Sequence, residues 1–151
     1  MKATTMLQVV ANILAVPVDN LGLTGSQAYR NVLYTGDLDH GHDVDIMVRD
    51  LDGSFRTRMT TLLAAFPLLT ATLDYYKGYD TPCIYIDVCG FQVNLIDLDP
   101  DSFAAWQHAT ALVKAQWYGV IETWRKEVRV AFFKAARNAY ISGLVAGRQG
   151  R

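Results

Sequence analysis

Asp43 and Asp45 lie two residues apart in GHDVDIMVRD (residues 41–50), inside an apolar run. In an extended chain alternate side chains face opposite ways. Val44, Ile46 and Val48 then line one face, and Asp43, Asp45 and Met47 line the other. Two like charges on one strand face repel. Solvent screening weakens that repulsion, and a divalent cation shared between the carboxylate oxygens turns it into a reason for the arrangement. The pair asks either for water or for a metal.

The elements that must position this pair follow from periodicity. Met6, Leu7, Val10, Ala11 and Leu14 repeat at helical spacing before Pro17, which predicts an amphipathic helix over residues 4–16. LGLTGS reads as a short strand ending in a Gly-Ser turn, residues 27–33 as a short helix, and TGDLDHGH as a polar loop. The loop delivers the chain to a strand over 42–48. Ser54 is a predicted N-cap for a helix carrying Phe55, Met59, Leu62 and Leu63 and ending before Pro67. Strand-like residues follow at 70–76.

CIYIDVCGFQVNLIDL predicts a hairpin closed by Cys89-Gly90. Its register places Val88 against Phe91, Asp87 against Gln92 and Tyr85 against Asn94. Ile84, Ile86, Val88, Phe91, Val93 and Leu95 then share an apolar face, and Tyr85, Asp87, Gln92 and Asn94 share a polar one. With this hairpin beside the 42–48 strand, Asp43, Asp45, Asp87 and Asn94 are expected on one open surface. Asp97 falls on the core side.

A third helix is capped at Asp99 to Asp101 and buries Phe103, Trp106, Thr110 and Val113. After a break near Gln116 to Gly119, a long helix turns Ile121, Trp124, Val128, Phe132 and Ala135 inward and carries Arg125, Lys126, Arg129, Lys134 and Arg137 on its other sides. Residues 138–151, which contain Gly143 and Gly147, are expected to fray.

The chain has 151 residues, 51% of them hydrophobic, which suits one domain with a real core, and its formal charge is -1. That balance argues against strong nonspecific binding to nucleic acid. No apolar run is long enough for a membrane span, and the first residues do not read as a signal sequence, so a cytoplasmic protein is expected. Cys83 and Cys89, as ends of one extended segment, stand roughly 20 Å apart and do not bridge.

GSQAYRN followed by HDVDIMV resembles the signature of the nucleotidyltransferase superfamily, whose members include DNA polymerase beta-like enzymes. In that signature a Gly-Ser turn precedes a helix, a later strand carries acid-hydrophobic-acid, and a third acid arrives on a neighbouring strand. The order of elements, together with VNLIDLDPDSFAAW and RKEVRVAFFKAAR, is similar to the minimal nucleotidyltransferase-like proteins of bacteriophages over roughly residues 20–137. The resemblance implies an α/β domain, a small mixed sheet with helices packed on one face. It implies Mg²⁺ or Mn²⁺ on Asp43 and Asp45, phosphate held by Gly25 and Ser26, and triphosphate charge neutralised by Lys126 and Arg129. The implied substrate is a nucleoside triphosphate, and its nucleotidyl group passes to an acceptor the sequence does not reveal. A protein partner or a second copy of the chain would supply the missing acceptor surface.

The chain departs from the pattern at two places. YTGDLDHGH lengthens the path from Ser26 to Asp43, and Asn94 stands where the third acid aligns. An amide can coordinate a metal through its oxygen but is no base. Asp87 is the alternative carboxylate. Two readings follow: an enzyme, or a nucleotidyltransferase-like fold that binds nucleotide or a host protein without turnover. His40 and His42 read as residues of a solvated loop, and Tyr75, Tyr76 or Tyr85 as aromatics able to stack on a base.

Overall fold

A computed structural model of the chain describes residues 1–65, 71–77, 79 and 81–149. The elements run α1 (Ala3–Leu14), β1 (Leu21–Thr24), α2 (Gly25–Tyr29), α3 (Asn31–Thr35), β2 (Val44–Arg49), α4 (Phe55–Ala65), β3 (Ala71–Tyr75), β4 (Pro82–Val88), β5 (Phe91–Leu98), α5 (Pro100–Ala115) and α6 (Lys126–Gln149). Short 3₁₀ turns occupy Val18–Asn20 and Ile121–Thr123. The chain divides into two compact units, Met1–Pro100 and Asp101–Arg151. The Leu63 side chain, Pro67 and residue 70, which figure in the expected helix and strand, lie outside the described residues.

The first unit is a five-stranded mixed sheet in the order β1-β2-β5-β4-β3. Only β2 and β5 run parallel; the other neighbours are antiparallel. Alternation decides which face carries the core. Val44, Ile46 and Val48 of β2, Ile84, Ile86 and Val88 of β4, and Phe91, Val93 and Leu95 of β5 gather with Met6, Val10, Ala11 and Leu14 of α1 and with Phe55 and Met59 of α4. The predicted apolar face of the hairpin is therefore the floor of the core.

The opposite face departs from the expected open polar surface. Asp45 and Asn94 are buried there, as are Met47, Cys83, Ile96 and Leu98 further along the same strands. Gln92 and Asp87 at one end of that face and Asp74 on β3 are exposed, and Asp43 is partly so. β2 and β5 sit in the sheet interior, so Asp45 and Asn94 have strand neighbours on either side.

Cys89 and Gly90 close the β4–β5 hairpin with φ of 52° and 83°. Two consecutive left-handed residues give the strands the twist that a two-residue hairpin needs. The register is the predicted one, with Val88 opposite Phe91, Asp87 opposite Gln92 and Tyr85 opposite Asn94.

At the other end of β2, the Phe55 N–H at the start of α4 donates to Asp50 Oδ2 at 3.3 Å, while the Ser54 hydroxyl, expected to cap the helix, donates to Asp52 at 2.5 Å. Asp50 is buried, and its Oδ1 has no protein donor among the described residues when both neighbouring carboxyls are ionised. Asp97, on the core side as expected, is its carboxyl neighbour. Burial pushes its carboxyl up to about 7, aided by a hydrogen bond to Asp50 and the Asp50 and Asp99 charges, against the pull of Arg56.

In the second unit α5 and α6 face each other. Trp106 meets the Phe133 ring edge-on at 5.1 Å, His108 lies 4.9 Å from Tyr140, and Arg148 makes a two-pronged ion pair with Asp101. Two expectations change here. Phe133 is the buried residue of α6, while Val128 and Ala135 are exposed. The segment expected to fray is helical from residue 138 through Gln149, because Gly143 and Gly147 continue the helix and Arg148 anchors its last turn. Phe103, Trp106, Thr110 and Val113 are buried on α5 as expected.

Cys89→Asn, which gives the turn the side chain that best tolerates a left-handed backbone, is expected to raise stability by about 0.5–1 kcal/mol in urea unfolding. Asp97 provides a pH test. The folded protein keeps a proton there that the unfolded chain loses near its ordinary carboxylate range, so this group makes stability fall as pH rises from about 4 to about 7. Urea midpoints of Asp97→Asn should therefore decline less across that window than those of the unaltered chain.

Candidate functional site

Asp45 lies where three strands meet, paired with Thr24 of β1 on one side and with Asn94 of β5 on the other. The Asn94 amide donates to Asp45 Oδ1 at 2.7 Å. Gln92 donates to Asn94 Oδ1 at 3.2 Å and to Asp43 Oδ2 at 3.3 Å. Two amides thus link the two carboxylates along one strand edge. The buried Tyr76 hydroxyl adds a hydrogen bond to Asp45. Lys77, just beyond β3, places its ammonium 3.3 Å from Asp43 Oδ2 and 3.6 Å from Asp45 Oδ1.

These contacts set the electrostatics. Burial raises the Asp45 carboxyl above its ordinary value and the Asp43 charge adds to that, while Lys77, Asn94 and Tyr76 oppose it. Burial, with Asp45 next in effect, lifts Tyr76 well above the ordinary phenol value, so it remains a donor.

Gly25 closes the site from the β1 side. Its φ is +73°, and a Cβ built on it would stand 2.2 Å from Asp45 Oδ2. A glycine here lets the Asp45 carboxylate lie against its backbone. Ser26 follows, half-buried on α2.

Gln27 is a positioning residue the sequence reading missed. Fully buried, it donates to the carbonyls of Asp39 at 2.5 Å and His42 at 3.0 Å, and accepts from the Asp39 N–H at 2.9 Å. It therefore pins the loop that leads into Asp43. The start of that loop is tied to the beginning of the chain by the Lys2–Asp37 ion pair at 3.0 Å and by Leu38 N–H donating to the Met1 carbonyl. The long GDLDHGH connection is held at both ends. His40 stacks on Phe91 at 4.2 Å, and His42 Nε2 lies 3.7 Å from Asp39 Oδ2. The only signal for Gln27 in the sequence is a polar residue following Gly-Ser; the strand-like reading of 70–76 marks Tyr76 as an aromatic able to stack on a base rather than as a donor to Asp45, and it does not mark Lys77.

The structure brings Asp43, Asp45 and Asn94 together and sets Asp87 apart. Asp87 is exposed on β4 opposite Gln92, so two strand spacings, roughly 9–10 Å, separate its backbone from that of Asp43. Lys126 and Arg129 belong to the second unit, where Lys126 is exposed on the first turn of α6 and the Arg129 guanidinium lies 5.4 Å from the Trp117 ring centre. Of the tyrosines, Tyr76 is committed to Asp45, the Tyr85 hydroxyl donates to the Tyr75 carbonyl at 2.9 Å, and Tyr75 is exposed.

The donor set suits a hard cation. Asp43 Oδ2 and Asp45 Oδ1 converge on one point, and the Lys77 ammonium stands at it in the manner of a bound ion. No cluster of three or more His, Cys, Asp or Glu side chains occurs among the described residues. A Mg²⁺ ion is commonly held by one or two carboxylates with water and substrate phosphates completing its shell, so the pair is a sufficient protein contribution.

No protein-family model matches the chain, and no curated protein resembles it at a significant level. Among the described residues, no helix is long and apolar enough to cross a membrane.

Gly25→Ala combines a left-handed backbone with a clash against Asp45. It should lower stability by at least about 2 kcal/mol in thermal or urea unfolding. A change smaller than about 0.5 kcal/mol would show that the carboxylate does not sit against this backbone.

Proposed function

We propose that this chain is a nucleotidyltransferase-type domain that takes a nucleoside triphosphate, with a divalent cation, at the face built by Gly25, Ser26, Asp43 and Asp45. The observation that carries the reading is the convergence of Asp43 Oδ2 and Asp45 Oδ1 on a single cation position beside the Gly-Ser turn. A divalent cation bound there would offset the charge that develops on phosphate oxygens during in-line transfer. The residues of the chain do the rest. Asn94 and Tyr76 hold Asp45 in one orientation, Gln92 holds Asp43, and the Ser26 hydroxyl is the donor for a phosphate oxygen. The acceptor would be a hydroxyl whose proton leaves as the new phosphoester bond forms and pyrophosphate departs.

A specific observation favours a second reading, in which the same face binds nucleotide without turnover. The position expected to carry a third acid is Asn94, whose amide is already hydrogen-bonded to Asp45 and Gln92 and cannot accept that proton. Asp87 stands too far across the sheet to join the shell of a cation between Asp43 and Asp45.

Calorimetric titration with each nucleoside triphosphate, with and without Mg²⁺, tests both readings when the same samples are assayed for pyrophosphate. Binding that requires Mg²⁺ and falls at least about tenfold in Asp45→Asn is expected. Thermal unfolding of the variant checks that it is folded. Pyrophosphate release supports transfer. Tight Mg²⁺-dependent binding without release supports the second reading, and absence of binding by the unaltered chain rejects both.

A further inference from the structure

Lys77 follows an anchored residue and carries a partly exposed, ion-paired head. The Tyr76 N–H donates to the Thr81 carbonyl at 2.9 Å, and the Tyr76 side chain is buried with its hydroxyl on Asp45. The Lys77 side chain is 43% exposed, and its ammonium stands 5.9 Å from the Tyr76 ring centre as well as against the two carboxylates. A four-carbon stem lets such a head move several ångströms without moving the main chain. Partly exposed ion pairs are weak, so a divalent cation with the same two oxygens as ligands is a strong competitor.

We infer that Lys77 is an exchangeable cation of this site. In the metal-free protein its ammonium fills the divalent-cation position between Asp43 Oδ2 and Asp45 Oδ1, and when the metal arrives it is displaced onto the phosphates of the bound nucleotide. The first half concerns metal alone; the second rests on the nucleotide reading proposed above. Charge gives the reason for both halves. Without a cation, Asp43 would face a buried Asp45 across one strand face, and the ammonium relieves that repulsion. Once a doubly charged ion is bound, it repels the ammonium, and the triphosphate is the anion within reach. Lys77 thereby serves as a phosphate-binding residue in the loaded site.

Mn²⁺ binding followed by the electron paramagnetic resonance signal of the free ion, without nucleotide, tests the first half on the unaltered chain, Lys77→Met and Lys77→Arg. Lys77→Met should bind Mn²⁺ on the order of fivefold more tightly, and Lys77→Arg, which keeps the charge, should stay near the unaltered chain. Calorimetry with Mg²⁺ and ATP tests the second half, where Lys77→Met should bind about tenfold more weakly. Opposite signs for metal and nucleotide are the signature of exchange. Mn²⁺ affinity that is unchanged or weaker in Lys77→Met, or absent from every form, overturns the exchange. Tighter Mn²⁺ with unaltered nucleotide affinity overturns the phosphate role alone. Tighter Mn²⁺ with no nucleotide binding by any form keeps the exchange and rejects the nucleotide reading.

Discussion

The arrangement depends on a carboxyl group placed where charge is costly. Asp45 sits at the junction of β1, β2 and β5, nearly without solvent, and desolvation disfavours its ionised form. Three groups from two parts of the chain offset that cost: the Asn94 amide from β5, and the Tyr76 hydroxyl and the adjacent Lys77 ammonium just beyond β3. The fourth side is taken by Gly25, whose missing Cβ gives the carboxylate its space. A hydrophobic residue at 45 would need none of these. That so many groups converge on one acid is a physical reason to look for function there.

The rest of the first unit can be understood as support for this junction. The parallel pairing of β2 with β5 puts Asp45 beside Asn94 and brings Gln92 level with the end of β2, and the tight Cys89-Gly90 turn fixes the register of β5 against β4. A slip of one residue would turn Asn94 into the core and Val93 toward Asp45. The core beneath, with α1 and α4 against the apolar face, makes such a slip costly. Gln27 and the Lys2–Asp37 pair hold the loop before Asp43, so the more exposed carboxylate is placed by loop anchoring while the buried one is placed by the sheet.

Two acidic pairs occupy opposite ends of β2 and behave differently. Asp43 and Asp45 share the Lys77 ammonium. At the other end, burial, a hydrogen bond to Asp50 and the Asp50 charge push the Asp97 carboxyl up to about 7, against the pull of Arg56. Environment, rather than residue type, separates a cation-seeking pair from a proton-sharing one.

The sequence by itself determined the period-two strands, the hairpin turn and its register, the apolar face, the buried stripe of α5 and the placement of Asp97 on the core side. All of these follow from local alternation, helical spacing or turn chemistry, which neighbouring residues carry. It also singled out Asp43, Asp45 and Asn94 as neighbours, because one register propagates along a sheet. Tertiary structure decided what surrounds them. The burial of Asp45, the contact with Gly25, the Gln27 clamp and the arrival of Tyr76 and Lys77 join residues far apart in the chain, and no local period encodes such meetings. The helical end of α6 belongs to the same class, since an ion pair from Asp101 to Arg148 holds residues whose local propensity favours fraying. Asp87 shows the limit from the other side: alternation put it on the polar face, and only the strand order showed that a full strand separates it from the pair.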